Sequence, residues 1–180
     1  ALGMGGINKR MIADQAWERA ITTLKRYKQV CEDFQVKEIK AIGTSALREA
    51  ENKAEFIAEV LKETGIRIEV ISGLKEAELI YKGVRWSYSF KYAAVIMDIG
   101  GGSTEFVFAN RTGITDMVSL NIGVSRIFQL FRFSDPLSKQ DIQTIIDWLE
   151  EKADGYFDDK REQVLIGASG TFETFYEMVH

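Results

Sequence analysis

The first half of the chain alternates between helical and strand-like patterns of apolar residues. Apolar side chains recur every three or four positions over 11–34, which predicts an amphipathic helix. Polar and apolar residues then alternate over 38–43 and predict a short strand. We expect Thr44-Ser45 to cap a second helix that Gly65 ends. Its inward face would consist of Leu47, Ala50, Ala54, Ile57 and Leu61.

A second strand and a third helix follow. Residues 66–71 predict the strand, and Ser72-Gly73 opens a helix over about 74–87. The apolar face of that helix carries Ala77, Ile80, Tyr81 and Val84.

The second half begins with three strands joined by short turns. The strands are predicted at 92–97, 104–109 and 114–120, with turns at 98–103 and 110–113. Such short connections allow only antiparallel pairing, so we expect a meander. The remaining elements are predicted as helices at 124–132 and 139–157, a strand at 164–166 and a last helix after the turn 167–171. Alternating helices and strands predict an α/β protein in two lobes, 1–87 and 88–180.

Composition narrows the classes of partner. The net charge of −4 argues against a nucleic-acid partner. No apolar run approaches the ~20 residues of a membrane span, and no signal segment opens the chain. The single cysteine, Cys31, cannot form an internal disulfide. We therefore expect a cytoplasmic protein without a membrane partner, and we leave a homodimer open.

Candidate chemistry concentrates in the turn after the first strand of the meander. Three successive glycines, Gly100 to Gly102, precede Ser103, and carboxylates flank them at Asp98 and Glu105. Glycines permit unusual backbone angles, and their N–H groups can converge into a nest that suits a phosphate. A second glycine turn, 167–171, leads from a strand into a helix in the same half. Two such turns favour a nucleotide-like or polyphosphate ligand.

Four segments together resemble a known family. They are Asp98-Ile-Gly-Gly-Gly-Ser-Thr-Glu105, Thr44-Ser-Ala-Leu-Arg-Glu-Ala50, Ile71-Ser-Gly-Leu-Lys-Glu-Ala-Glu-Leu-Ile-Tyr81 and Gly167-Ala-Ser-Gly-Thr171. In their order along the chain they are similar to segments of the exopolyphosphatase/guanosine pentaphosphatase family of bacteria, within the actin, hexokinase and heat-shock ATPase superfamily. The resemblance implies two ribonuclease-H-like (actin-like) lobes with a cleft between them, and hydrolysis of polyphosphate or guanosine pentaphosphate as substrate.

The resemblance also implies roles by position. Arg48 falls on the family's phosphate-binding arginine and Glu76 on its catalytic base. Asp98 and Glu105 fall on the acidic pair, where we expect Mg²⁺, with a catalytic role for Glu105 as well. Phosphate would contact Gly100, Gly101, Gly102, Ser103, Gly170 and Thr171. We place Arg48 in the first turn of its helix, where a cation gains nothing from the helix dipole, so an anion partner is implied.

Two departures from the family pattern bear on these expectations. The family has an acid before the catalytic glutamate and an arginine after the following alanine, where this chain has Lys75 and Glu78. The family's first phosphate loop and its opening strands would precede Ala1, so we expect both lobes to be incomplete. Two alternatives stay open: a non-catalytic sensor of polyphosphate or guanosine tetraphosphate, and a small-molecule kinase of the same superfamily.

Overall fold

The computed structural model describes residues 1–179, and these form two compact units. The first unit comprises residues 1–72 and the second begins at Gly73. This division lies earlier than the predicted boundary between 87 and 88. The reason is that the helix beginning at Gly73 packs on strands of the second unit.

The first unit joins three helices to a parallel pair of strands. Its elements are α1 (Asp14–Asp33), β1 (Ala41–Gly43), α2 (Ser45–Glu49), α3 (Lys53–Thr64) and β2 (Ile68–Val70). Strands β1 and β2, which lie within the two strands predicted for this half, pair in parallel with Ile42 opposite Glu69. The core of the unit includes Ile12, Ala16, Leu47, Phe56 and Val60. Gly65 ends α3 in the left-handed conformation at φ 71°, as expected.

The single helix predicted from 45 to 65 is wrong, because the chain leaves the helix between α2 and α3. The side chain of Asn52 accepts a hydrogen bond from the N–H of Ile12 at 2.9 Å and donates one to its carbonyl at 3.0 Å. The backbone N–H of Glu51 likewise donates to the carbonyl of Arg10 at 2.8 Å instead of to a carbonyl one helical turn earlier, and local spacing does not reveal such a distant partner. Thr44 makes no side-chain capping bond, and Leu61 is exposed rather than inward.

The second unit is a four-stranded mixed sheet with helices. Its elements are α4 (Gly73–Ser87), β3 (Ala94–Ile99), β4 (Thr104–Asn110), β5 (Gly113–Leu120), α5 (Val124–Leu130), α6 (Lys139–Ala153), β6 (Val164–Ala168) and α7 (Ser169–Val179). The strand order is β5-β4-β3-β6, with β3, β4 and β5 antiparallel and β6 parallel to β3. The predicted meander is confirmed. The predicted capping box at the start of α6, Ser138 with Asp141, is also present.

Helix α4 belongs to the core of the second unit. Ala77 and Tyr81 are buried with Ile96 and Val107 of the sheet, on the apolar face that the sequence predicted. The opposite side of the helix is solvated. None of the helices described within residues 1–179 is both long and apolar enough to cross a membrane.

Candidate active site

The glycine loop between β3 and β4 turns its carbonyl groups to one side. The carbonyls of Gly100, Gly101 and Gly102 accept hydrogen bonds from the N–H groups at the start of α5, with distances of 3.0 Å from Val124 and 2.8 Å from Ser125. In a trans peptide the N–H of the next residue points opposite to the carbonyl. The N–H groups of Gly101, Gly102 and Ser103 therefore point away from α5, in the arrangement of an anion-binding nest.

These three N–H groups are not used in hydrogen bonds to the part of the chain that the structure describes. Among residues 1–179 none of them donates to a backbone or side-chain oxygen. The residues Gly102 and Ser103 are buried, and buried N–H groups rarely lack a partner. The N–H of Gly100 differs from the others, because it donates to the carbonyl of Ser103 at 3.0 Å. Of the four residues predicted for this loop, Gly100 thus shapes the turn and the next three present their N–H groups.

Two residues that the sequence analysis missed hold the loop in place. The guanidinium of Arg126 is buried, and its Nε donates to the carbonyl of Gly102 at 3.0 Å. At Gly123, a Cβ atom would lie 2.4 Å from the carbonyl carbon of Gly101, so only glycine fits there. A cation in the first turn of a helix gains nothing from the dipole, and Arg126 could have been noticed by that signal.

Asp98 and Glu105 stand side by side on one face of the sheet. They are paired across β3 and β4, and Ser119 pairs with Glu105 on the next strand. Residues directly opposite each other project to the same face, so the two predicted acids lie together. Like charges at such a distance repel, and each carboxylate needs other groups to stabilise its charge.

Glu105 is the most buried acid of the site. Its side chain is only 2% exposed, and its Oε1 accepts a hydrogen bond from the Ser119 hydroxyl at 2.7 Å. Burial raises the pKa of Glu105, and the negative charges of Glu76 and Asp98 raise it further, while hydrogen bonds from Ser119 and Ser103 oppose the shift. Glu76 and Asp98 therefore both lie within electrostatic reach of Glu105. Such a shift at a cluster of acids is a common property of functional sites.

Glu76 reaches this cluster from the first turn of α4. It is half-buried, and the same turn carries Lys75 on an exposed side. Two positions on, Glu78 bonds Lys75 at 2.7 Å and also pairs with Lys82. These two lysines hold the pKa of Glu78 at about 2. Glu78 thus belongs to a surface ion-pair group, whereas Glu76 belongs to the acidic cluster.

The second glycine turn is attached to the end of β3. The Ser169 hydroxyl donates to a carboxylate oxygen of Asp98, and the Thr171 hydroxyl donates to the carbonyl of Ile99 at 2.8 Å. Ser169 adopts a left-handed conformation at φ 66°, which is uncommon for a residue other than glycine and clusters at functional sites. Space beside the Cα of Gly170 is open. The predicted turn therefore lies next to Asp98, with the first N–H groups of α7 facing outward from the helix.

Residues 2–180 match the model of the Ppx/GppA phosphatase family. The chain belongs to this family. The match covers the glycine loop, the second glycine turn, Glu76 and Arg48, so the resemblance of the four sequence segments is confirmed.

Individual relatives agree with the Ppx/GppA assignment. An exopolyphosphatase from Cytophaga hutchinsonii has a TM-score of 0.94 and 38% identity, with 98% of this chain and 58% of that one covered. A Ppx/GppA family member from Aquifex aeolicus has a TM-score of 0.75 and 29% identity, with 99% and 57% covered. A bifunctional 3-dehydroquinate synthase/phosphatase from Fusobacterium nucleatum is 38% identical, with 93% of this chain and 27% of that protein covered. This chain spans less than two thirds of each of these proteins.

The two departures from the Ppx/GppA pattern compensate each other. An acid at position 75 and an arginine at 78 would form an i,i+3 ion pair on α4. In this chain Lys75 and Glu78 form the same pair with the charges exchanged. The exchange therefore keeps an ion pair beside Glu76 but reverses the charge at both positions.

Arg48 lies in the first unit. It falls in the last turn of the short helix α2, not in the first turn of a long one. The dipole argument for an anion partner is therefore wrong, because a cation is favoured at a helix C-terminus. One guanidinium nitrogen donates to the carbonyl of Ile71 at 3.0 Å. This bond fixes the half-buried side chain, and its phosphate-binding role still rests on the family pattern.

The side chains of the site could hold magnesium only together with water molecules and substrate phosphate. Within residues 1–179 no group of three or more His, Cys, Asp and Glu side chains is arranged to hold a metal ion. Asp98 has a second carboxylate oxygen besides the one bonded to Ser169. Mg²⁺ commonly keeps several waters and binds one or two carboxylates together with substrate phosphates. Asp98 fits that mode, whereas the buried Glu105 is occupied by Ser119 and Ser103.

Proposed function

We propose that the protein hydrolyses phosphoanhydride bonds and releases terminal phosphate from inorganic polyphosphate or guanosine pentaphosphate. The observation that carries the proposal is the glycine loop, whose N–H groups at Gly101, Gly102 and Ser103 point one way beside the acidic cluster. A nest of N–H groups suits a phosphoryl group, and carboxylates beside it suit activation of water. Membership of a phosphatase family and the likeness to an exopolyphosphatase support this reading.

The backbone supplies the positive field that a chain of net charge −4 lacks. The N–H groups of the loop would bind oxygens of the terminal phosphoryl group, and the Arg126 guanidinium behind Gly102 would strengthen their polarity. Gly170 and Thr171 would offer the N–H groups at the start of α7 to the same substrate. Arg48 would bind phosphate as its family position implies.

Glu76 would act as the general base. A water oxygen attacks the terminal phosphorus, its proton passes to the Glu76 carboxylate, and the bond from phosphorus to the bridging oxygen breaks. The electron pair of that bond leaves with the bridging oxygen on the shortened substrate. The buried Glu105 would position Ser103 and the loop through its hydrogen bonds rather than touch the substrate.

Asp98 would hold magnesium through its free carboxylate oxygen or through water. The ion, when bound, neutralises charge that develops on the leaving phosphate. Ser169 would orient the Asp98 carboxylate for this purpose, since its hydroxyl bonds the other oxygen.

Phosphate release by the complete protein tests the proposal. We expect phosphate from long-chain polyphosphate or from guanosine pentaphosphate in the presence of Mg²⁺, and much less from ATP. Tight binding of either compound without phosphate release would contradict hydrolysis and favour the sensor. Phosphate release from ATP only when a small-molecule acceptor is present would instead favour the kinase.

A further inference from the structure

A second concave site lies at the opposite end of the sheet in the second unit. A cavity of about 350 Å³ is lined by Arg85, Tyr88, Ser89, Phe90, Lys91 and Arg111. Arg85 is in the last turn of α4, residues 88–91 lead into β3, and Arg111 is in the turn between β4 and β5. The glycine loop follows the other end of β3. Six strand residues at ~3.3 Å each separate the two places by roughly 20 Å.

The three cations of this cavity have no acidic partner in the described part of the chain. Within residues 1–179 no ion pair involves Arg85, Lys91 or Arg111. The sequence around them agrees, because neither 79–97 nor 106–115 contains an aspartate or glutamate. The whole chain has 27 acidic against 23 basic residues. Three cations around one cavity are therefore a local exception to the acidic character of the chain. A cleft lined by one sign of charge concentrates ions of the opposite sign.

Part of the cavity is held in a fixed geometry. The Arg85 guanidinium lies 5.9 Å from the centre of the Tyr81 ring and 6.0 Å from that of Phe90. Its Nη2 also approaches the carbonyl of Arg111 at 3.4 Å. The Tyr88 ring meets Phe90 edge to face at 5.3 Å. Aromatic rings and a backbone carbonyl thus hold the Arg85 guanidinium in place, without an ion pair to a carboxylate.

Ordinary surface chemistry explains only part of this arrangement. The dipole of α4 favours a cation in its last turn, which accounts for Arg85. It does not account for Lys91 and Arg111, which come from two other segments. Bringing like charges together costs free energy that a bound anion would offset.

We propose that this cavity binds an anion with two or more linked phosphoryl groups, independently of the glycine loop. Arginine matches phosphate oxygens in a bidentate way, lysine adds a compact charge, and the Ser89 hydroxyl can donate one more hydrogen bond. The shared chemistry of the ligand is a phosphoanhydride-linked diphosphate. Such a group occurs both in inorganic polyphosphate and in nucleotides, and the exposed Tyr88 ring would add affinity only for a nucleotide base.

Calorimetric titration of the complete protein with methylenediphosphonate, which resists hydrolysis, tests the site. In the test variant three cations are changed together, as Arg85→Gln, Lys91→Gln and Arg111→Gln. The matched control removes the same charge from three exposed lysines elsewhere, as Lys9→Gln, Lys37→Gln and Lys139→Gln. We expect the test variant to lose one binding equivalent, or at least about 10-fold in affinity for it, and the control to keep it.

Three results would overturn the proposal. They are equal binding by the two variants, equal losses in both, and no binding by the wild type. A second arm uses adenosine 5′-(α,β-methylene)diphosphate and the variant Tyr88→Leu to separate the two sources of the diphosphate. If this compound binds more tightly than methylenediphosphonate and Tyr88→Leu removes the difference, the ligand is a nucleotide. Equal affinities assign the cavity to inorganic polyphosphate.

Discussion

Glu105 illustrates how one residue combines folding and function. Its carboxylate is buried beside two other acids, and burial raises its pKa above the ordinary value of 4.5. The folded protein therefore keeps the proton at a pH at which the unfolded chain has lost it. The protonated Glu105 carboxyl therefore stabilises the folded state fully below about pH 4.5, and this contribution is lost as the pH rises through the raised pKa of Glu105.

We expect Glu105→Gln to unfold at a higher temperature than the wild type at pH 8. The neutral amide avoids burying a charge, and each 1 kcal/mol gained corresponds to about 2–4 °C for a protein of this size. The difference should shrink towards pH 4.5, where the wild-type carboxyl is also neutral. Thermal unfolding across this pH range checks the prediction, with the exposed Glu18→Gln as control. A wild type that is more stable than Glu105→Gln at pH 8 would contradict it.

Kinetic measurements can show whether Arg48 binds substrate or only stabilises the fold. We expect Arg48→Ala to raise KM for polyphosphate by up to ~10-fold, as the loss of one charge-assisted contact of ~1.5 kcal/mol implies. The variant also loses the bond to Ile71, so the melting temperature is measured alongside. A lower melting temperature with unchanged KM would remove Arg48 from the substrate site.

At the scale of elements, the glycine loop depends on its contact with the start of α5. The space between Gly123 and Gly101 leaves no room for a side chain. We expect Gly123→Ala to push the loop away and to lower kcat/KM by ~10- to 100-fold, since displacements near 1 Å have such effects. Gly83→Ala in α4 is the matched control, because a Cβ there meets open space. Equal activity of both variants would show that the loop position does not matter.

Helices and strands were predictable where local spacing decides. The strands of the meander follow from apolar runs and short turns, and α4 follows from the spacing of Ala77, Ile80 and Tyr81. The break before α3 was not predictable, because it depends on bonds from Glu51 and Asn52 to the distant segment Arg10–Ile12. The sequence identified the acids of the acidic cluster but not their arrangement. Glu76 comes near the sheet only because α4 packs on it.

At the scale of the whole molecule, the distribution of charge matters more than its sum. The net charge of −4 gives no sign of a phosphate ligand. The positions that would attract a phosphate are instead the backbone N–H groups at the glycine loop and a group of cations at the opposite end of the same sheet. Positive character built from backbone N–H groups is absent from any count of charged residues. For that reason the four sequence segments indicate the family and the composition does not.

The most direct test of the mechanism is the rate of phosphate release by Glu76→Gln compared with Glu78→Gln in the complete protein. Both changes remove one carboxylate from α4, but Glu76 belongs to the acidic cluster and Glu78 pairs with Lys75 and Lys82. We predict that Glu76→Gln lowers kcat by ~10²–10⁴-fold with substrate binding retained, and that Glu78→Gln changes kcat far less. Wild-type rates of phosphate release by Glu76→Gln from both polyphosphate and guanosine pentaphosphate would contradict the account.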